Sequence, residues 1–182
     1  MKAILLPALL LFVLSTVSRA QTCREVVRDA SGRVVQTIER QKQAGSTERA
    51  VIRDASGRVI GTATTRISAG GGGQTTYRDA SGRIAGTASS KTTASGGSST
   101  TYRDASGRIA GSATTSKFLG SGSRTQFRDA SGRLTGTESS HGNGSMTSTR
   151  RDASGRYTGN STGSGKCQGA VRVPSPPINK SR

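Results

Sequence analysis

This 182-residue protein contains six copies of the hexapeptide Arg-Asp-Ala-Ser-Gly-Arg, whose side chains are of types that can act in catalysis or binding. Each copy holds a carboxylate, a hydroxyl and two guanidinium groups, so a catalytic motif is the first hypothesis to test. A Ser-His-Asp site also needs a histidine. The sole histidine, His141, stands in the turn-like stretch Ser139–Asn143, which is typical of an exposed loop. We therefore predict no catalytic residue and a protein that is not an enzyme.

Metal and cofactor sites lack the residues that such sites need. One aspartate per motif is too few carboxylates for a calcium cage. The glycine run Gly70–Gly73 has no lysine of the kind that a phosphate-binding loop carries. Neither Cys23 nor Cys167 has a second cysteine at the spacing of a zinc site. The sequence predicts no metal site and no cofactor.

The motif arginines are the strongest functional signal. A regular row of guanidinium groups can bind phosphate, sulfate or carboxylate groups, as on acidic polysaccharide, lipopolysaccharide or extracellular DNA. The net charge of +17 agrees with such partners. The alternative is that the arginines and aspartates only pair with each other within a sheet. The candidate polyanion-binding residues are Arg28, Arg33, Arg53, Arg58, Arg78, Arg83, Arg103, Arg108, Arg128, Arg133, Arg151 and Arg156.

The motifs recur at a fixed period, which indicates repeated structural units. Successive copies begin 25 residues apart four times and then 23 residues apart. In five copies an apolar or aromatic residue stands on both sides of the motif, as Tyr77 and Ile84 do, and from the second copy onward a glycine follows two residues later, as Gly86 does. Only 30% of the residues are apolar, which argues against a conventional globular core. The β-type spacing argues against full disorder.

Each unit has the pattern of a strand, a turn and a strand. Segments such as Gln74–Arg78 are rich in β-forming residues. Between the strands, Asp79 can accept a backbone hydrogen bond and Gly82 can supply a positive φ. A three-residue loop would pair Asp79 with Arg83 and put Tyr77 and Ile84 on opposite faces. We favour a four-residue loop, which pairs Tyr77 with Ile84 and sets Arg78 beside Arg83, because it gathers the apolar residues on one face.

The predicted fold is all-β, with six hairpin repeats in residues 27–162 forming an antiparallel meander. A β-solenoid is the alternative, but its in-register arginine ladders would repel at a spacing of about 4.8 Å. Residues 21–26 are predicted to be a short flank. The basic tail, residues 163–182, contains three prolines and is predicted to be disordered.

The N-terminus and the two cysteines predict export. Residues 1–20 have a lysine, an apolar run and small residues before the end, which is the pattern of a cleaved signal peptide. Cys23 and Cys167 flank the repeats and predict a disulfide. The ends of an open twelve-stranded sheet would lie about 50 Å apart, whereas a disulfide needs Cα atoms within about 7 Å. Either the sheet closes, or the bond joins two molecules and could build a fibre.

The pattern Tyr77, Asp79, Gly82, Arg83 and Ile84 resembles the YD repeats of bacterial Rhs and teneurin-like surface proteins. That resemblance implies β-hairpins that wind into a spiral sheet at a bacterial surface. Here Arg78 separates the aromatic residue from the aspartate, which departs from the family pattern. The order of a signal peptide and Gly/Ser/Thr-rich repeats is also similar to curlin-type functional amyloid, in architecture alone.

Two functions follow as hypotheses. The first is a secreted, cell-surface or periplasmic bacterial protein with a structural role, which self-associates into a fibre or matrix. The second is a monomeric adhesin or polyanion-binding protein that uses its arginine rows. No transmembrane segment is expected in the mature chain.

Overall fold

The structure is a computed structural model that describes residues 22–43, 45–118, 120–142 and 146–165. The predicted signal peptide, Cys167 and residues 166–182 of the predicted tail lie outside these residues. In the described part of the chain no helix is long and apolar enough to cross a membrane. The strands are β1 (Thr22–Asp29), β2 (Val34–Lys42), β3 (Thr47–Asp54), β4 (Val59–Ile67), β5 (Gly73–Asp79), β6 (Ile84–Thr92), β7 (Ser98–Asp104), β8 (Ile109–Lys117), β9 (Ser123–Asp129), β10 (Leu134–His141), β11 (Met146–Asp152) and β12 (Tyr157–Gly165).

The strands form one antiparallel meander that closes into a barrel. Every strand pairs with its neighbours in sequence, and β1 also pairs with β12, from Cys23 opposite Gly165 to Asp29 opposite Gly159. The predicted meander is therefore confirmed, and the sheet closes. β1 occupies most of the range predicted as a flank, and β12 continues three residues into the range predicted as a tail. Because each strand has a partner on both sides, the described barrel has no free sheet edge.

The motif turns have the three-residue loop, so the favoured four-residue loop is wrong. In the third copy, the Asp79 N–H donates to the Arg83 carbonyl at 2.9 Å and the Gly82 N–H donates to the Asp79 carbonyl at 3.0 Å. Gly82 has a φ of +79°, which closes a type I turn into a hairpin. The Asp79 carboxylate accepts hydrogen bonds from the N–H groups of Ser81 and Arg83, and these bonds favour the shorter loop.

The shorter loop changes which residues face each other. Arg78 lies opposite Ile84, Tyr77 lies opposite Gly86, and Ala85 is the extra residue of a β-bulge. Tyr77 points into the barrel and is 4% exposed, whereas Ile84 points outward and is 49% exposed. The predicted Tyr77–Ile84 pair, the predicted Arg78–Arg83 pair and the single apolar face are therefore wrong.

In every unit but the first, the bulge is followed by a glycine that lies where two strands approach each other closely. A Cβ on Gly111 would stand 2.4 Å from the backbone oxygen of Arg128 on the next strand, closer than real Cβ atoms come. A Cβ on Gly61, Gly86 or Gly136 would be similarly close to the backbone oxygen of the first arginine in the next motif, and a Cβ on Gly159 would be close to that of Arg28 in the first motif. The recurrent glycine thus allows neighbouring strands to approach closely, and in the third to fifth units it lies opposite the aromatic residue of the same hairpin.

Near the motif turns the barrel interior is mainly apolar, although Arg150 also lies at this level, and it becomes polar towards the other end. The apolar cluster contains Val27, Ile38, Ala50, Ile52, Ala63, Tyr77, Ala88, Tyr102 and Ala113, with Phe127 packed against it. Beyond it, hydroxyl groups pair across neighbouring strands at 2.7–2.9 Å. These pairs are Thr65–Thr75, Ser90–Thr100, Thr115–Thr125, Ser123–Ser140 and Ser148–Ser161. Because each of these hydroxyl groups has a hydrogen-bond partner, a chain with few apolar residues can bury short polar side chains inside the barrel.

Candidate anion-binding rim

Closure of the barrel gathers the motifs at one end, here called the motif rim. Each motif joins an odd-numbered strand to the next even-numbered one, and in an up-and-down barrel such turns all lie at the same end. The motif rim therefore holds all twelve predicted polyanion-binding arginines together with six aspartates. Its formal charge is positive, because arginines outnumber aspartates by two to one.

The first arginine of each motif is held in place by its own turn. Arg78 donates a hydrogen bond from Nη1 to the carbonyl oxygen of Gly82 at 2.9 Å. The same bond recurs in every copy at 2.8–3.1 Å. A guanidinium group has five N–H donors, and this bond uses one of them. The first arginine thus braces the turn and keeps donors for an external anion.

The second arginine of each motif contributes its backbone to the turn and leaves its side chain outside. The Arg83 N–H donates to the Asp79 carboxylate at 2.9 Å, and the Arg83 side chain is exposed. The equivalent residues Arg33, Arg58, Arg108, Arg133 and Arg156 are also exposed. This second set is therefore the better candidate for direct contact with a ligand.

The motif aspartates accept hydrogen bonds within the turns, and the alternative in which motif arginines and aspartates only pair with each other does not describe how the motifs are held. In each motif Asp Oδ1 accepts from two backbone N–H groups, as Asp54 does from Ser56 and Arg58. The ion pairs found within the described strands, Arg40–Glu25 and Arg150–Glu138, include no motif residue. The aspartates reduce the charge of the rim without occupying its guanidinium groups.

Three of these aspartates have a further donor. The hydroxyl groups of Ser56, Ser131 and Ser154 donate to the preceding aspartate at 2.7 Å. These bonds, followed by backbone hydrogen bonds and the nearby arginine, lower the pKa of Asp54, Asp129 and Asp152 below the ordinary value of 3.8. The three carboxylates are therefore ionised throughout the neutral range.

We expect Ser56→Ala to raise the pKa of Asp54 towards 3.8 and to leave the pKa of Asp129 and Asp152 unchanged. A lowered pKa in the folded state stabilises the fold above the unfolded-state pKa, and this stability is lost as the pH falls through the folded-state pKa. Carboxyl ¹³C NMR titration measures all three groups in one sample, so Asp129 and Asp152 are internal controls. An unchanged Asp54 midpoint in the variant would contradict the assignment.

The interior contains charged residues that sequence reasoning did not single out. Arg40 Nη2 lies 2.8 Å from Glu25 Oε2, and Arg150 Nε lies 3.3 Å from Glu138 Oε2. Burial raises the pKa of Glu48, although Arg40 and Lys42 oppose that rise. Burial also raises the pKa of Tyr77 and Tyr102. The signal was present in the alternation of β1, where Glu25 stands two residues from Val27 and Cys23 on the inward face.

Cys23, the other predicted site residue that the structure describes, lies away from the motif rim. Cys23 is buried at the opposite end and lines a cavity of about 410 Å³ with Arg40, Glu39 and Gly165. Cys23 stands opposite Gly165 in the sheet, and Cys167 is two residues further along the sequence. Because Cys167 lies outside the described residues, the disulfide stays a prediction. His141 ends β10 with an exposed side chain.

The fold and the rim together define a closed, twelve-stranded antiparallel barrel with one basic end. A comparison of the chain with protein-family models, curated proteins and solved structures finds no match. The resemblance to YD repeats stays a prediction that rests on the motif residues.

Proposed function

We propose that this protein is a non-enzymatic polyanion-binding protein that holds phosphate, sulfate or carboxylate groups at its motif rim. The observation that carries the proposal is the placement of all six motif turns at one end of a closed barrel. Such a rim offers several guanidinium groups to one extended ligand. Once the first group binds, each further contact is intramolecular, so weak single contacts add up to useful affinity.

The geometry of the turns supports this proposal. The bond from the first arginine to the glycine carbonyl fixes part of the rim before a ligand arrives, which lowers the entropy lost on binding. Guanidinium groups suit oxyanions because their planar N–H donors bind two oxygens at once. We further propose that the protein is exported and acts at the cell surface or in the periplasm, because residues 1–20 have the pattern of a signal peptide.

The first hypothesis from the sequence, a fibre or matrix subunit, receives less support. Edge-to-edge strand pairing is the usual route from a β-sheet to a fibre, and each strand of the described barrel already has two partners. Self-association would therefore have to use the outer face or the rims.

The decisive variant replaces four arginines of the second set, Arg58, Arg83, Arg108 and Arg133, with glutamine. Their side chains are exposed, and only their backbones take part in the turns, so folding should be preserved. We expect affinity for heparin or duplex DNA at low salt to fall at least tenfold. The slope of log affinity against log salt should fall by about one for each lost contact.

The matched control replaces four exposed arginines nearer the other end of the barrel, Arg24, Arg49, Arg66 and Arg124. It removes the same charge, so a general charge effect would weaken binding equally in both variants. Equal weakening, or no weakening in the rim variant, would contradict the proposal. Sedimentation of the unmodified protein in the same buffer separates binding by a monomer from assembly.

A further inference from the structure

The third and fourth units carry apolar side chains beside their arginines on the outer face of the barrel. Ile84 and Ile109 are 49% and 53% exposed, the largest values among the exposed large apolar side chains of the motif end. Ala85 and Ala110, which follow them, are also exposed. We use the name amphipathic patch for Arg78, Ile84, Ala85, Arg103, Ile109 and Ala110.

The β-bulges explain why these residues share one face. Arg78 lies directly opposite Ile84, and Arg103 lies directly opposite Ile109. Side chains at such positions lie about 5 Å apart at Cβ. The extra residue of each bulge adds an exposed alanine to the same surface. The two units have identical motifs and flanks, so the patch consists of two equivalent arginine–isoleucine pairs on neighbouring hairpins.

Each of these isoleucines keeps about half of its surface exposed in the fold. The facing interior positions belong to Tyr77, Gly86, Tyr102 and Gly111, which are all buried. Single exposed apolar residues are ordinary on protein surfaces. Here two of them stand at equivalent positions, each next to a guanidinium group, which is the arrangement that an anionic, partly apolar partner would fit.

We propose that the amphipathic patch docks onto a lipid surface that displays phosphate groups. The proposal rests on the polyanion-binding function and names the class of partner. Guanidinium groups would lie at the level of the phosphates, each attracted by the anionic surface. The isoleucines would enter the boundary between headgroups and acyl chains. Nucleic acids and polysaccharides offer no acyl layer, so they would leave Ile84 and Ile109 in water.

The test compares binding of the protein to phosphatidylglycerol–phosphatidylcholine vesicles, to pure phosphatidylcholine vesicles and to heparin. The variant Ile84→Ser with Ile109→Ser keeps every arginine. We expect it to bind anionic vesicles about tenfold more weakly and to bind heparin as the unmodified protein does. Pure phosphatidylcholine vesicles should retain little of either protein, because the electrostatic attraction is missing.

Phe118 provides a matched control, because it is 49% exposed at the opposite end of the barrel. Phe118→Ser should leave binding to anionic vesicles unchanged. If the double serine variant bound these vesicles as tightly as the unmodified protein, the lipid proposal would be overturned while heparin binding still supported the broader function. The isoleucines could instead join two copies of the chain. Sedimentation would then show dimers that the double serine variant no longer forms, while its binding to vesicles would be unchanged. That result would also overturn the lipid proposal. Loss of heparin binding on replacing the motif arginines is the separate test of the proposed function.

Discussion

Arg40→Ala is expected to lower the free energy of unfolding by about 3–5 kcal/mol, because it leaves a buried charge without its partner. The side chains of Arg40 and Glu25 are 4% and 7% exposed, and their charged atoms lie 2.8 Å apart. Arg40 also opposes the rise in the pKa of Glu48, so its loss makes a second buried carboxylate more costly to ionise. A loss of this size is a large part of the stability of an ordinary domain. Urea unfolding followed by circular dichroism measures it.

Two further variants separate the ion pair from simple loss of packing. Arg49→Ala removes an exposed arginine from the neighbouring strand and should change stability by less than about 0.5 kcal/mol. Replacing both partners, with Glu25→Leu and Arg40→Met, should cost less than Arg40→Met alone, because no buried charge is left over. If the double replacement cost as much as the two single changes added together, the pair would carry no coupling and our account of the interior would be wrong.

Gly111→Ala is expected to destabilise the barrel by about 1–3 kcal/mol or more, because the new methyl group has no space. Its Cβ would stand 2.4 Å from the Arg128 oxygen and 3.5 Å from the Arg128 carbonyl carbon. Both atoms belong to the backbone of the next strand, so relief requires two paired strands to move. The φ of Gly111 is not in the left-handed region, which makes the cost steric rather than conformational.

Gly107→Ala tests a different requirement for glycine in the same unit, which is the left-handed backbone conformation of the turn. Gly107 has a φ of +80° and open space around its Cβ position, so the cost is the strain of a left-handed residue, about 1–2 kcal/mol. Ser116→Ala on the outer face of β8 is the neutral control. Thermal unfolding measures the stability of the three variants and ranks them. If Gly111→Ala were as stable as Ser116→Ala, the close approach of the strands at Gly111 would not limit the fold.

The strand content and the meander could be predicted from local patterns, whereas the loop length could not. The motif contains Asp79 and Gly82 at positions that suit either a three-residue or a four-residue loop. Our choice assumed that Tyr77 and Ile84 share a face. The bulge at Ala85 breaks that alternation. The recurrent glycine that follows Ala85 can indicate a bulge, but our choice of loop did not take it into account. The glycine at position 86 was visible as a recurrent residue, but its reason depends on the backbone of Arg103 in the next unit.

The residues of the candidate site could be predicted from the sequence, but their arrangement in space could not. The twelve arginines could be named from the repeat, and their hydrogen bonds to the turns are local. Their gathering into a ring depends on the pairing of Cys23 to Asp29 with Gly159 to Gly165, which joins the two ends of the chain. The predicted disulfide was compatible either with a closed sheet or with a bond between two molecules, so the cysteines alone could not predict closure.

The sequence by itself determined the hairpin units and the composition of the turns, because these depend on residues close to one another along the chain. It also determined the excess of positive charge, because charge depends only on composition. Only the tertiary structure decided that the meander closes, that Tyr77 and Ile84 lie on opposite sides of the sheet, and that Glu25 meets Arg40 inside. Those features depend on register and on the sum of small twists and bulges over twelve strands. Closure depends on all twelve strands together and cannot be read from a single repeat. The six nearly identical motifs therefore specify their own turns, whereas the shape of the rim depends on the closed barrel.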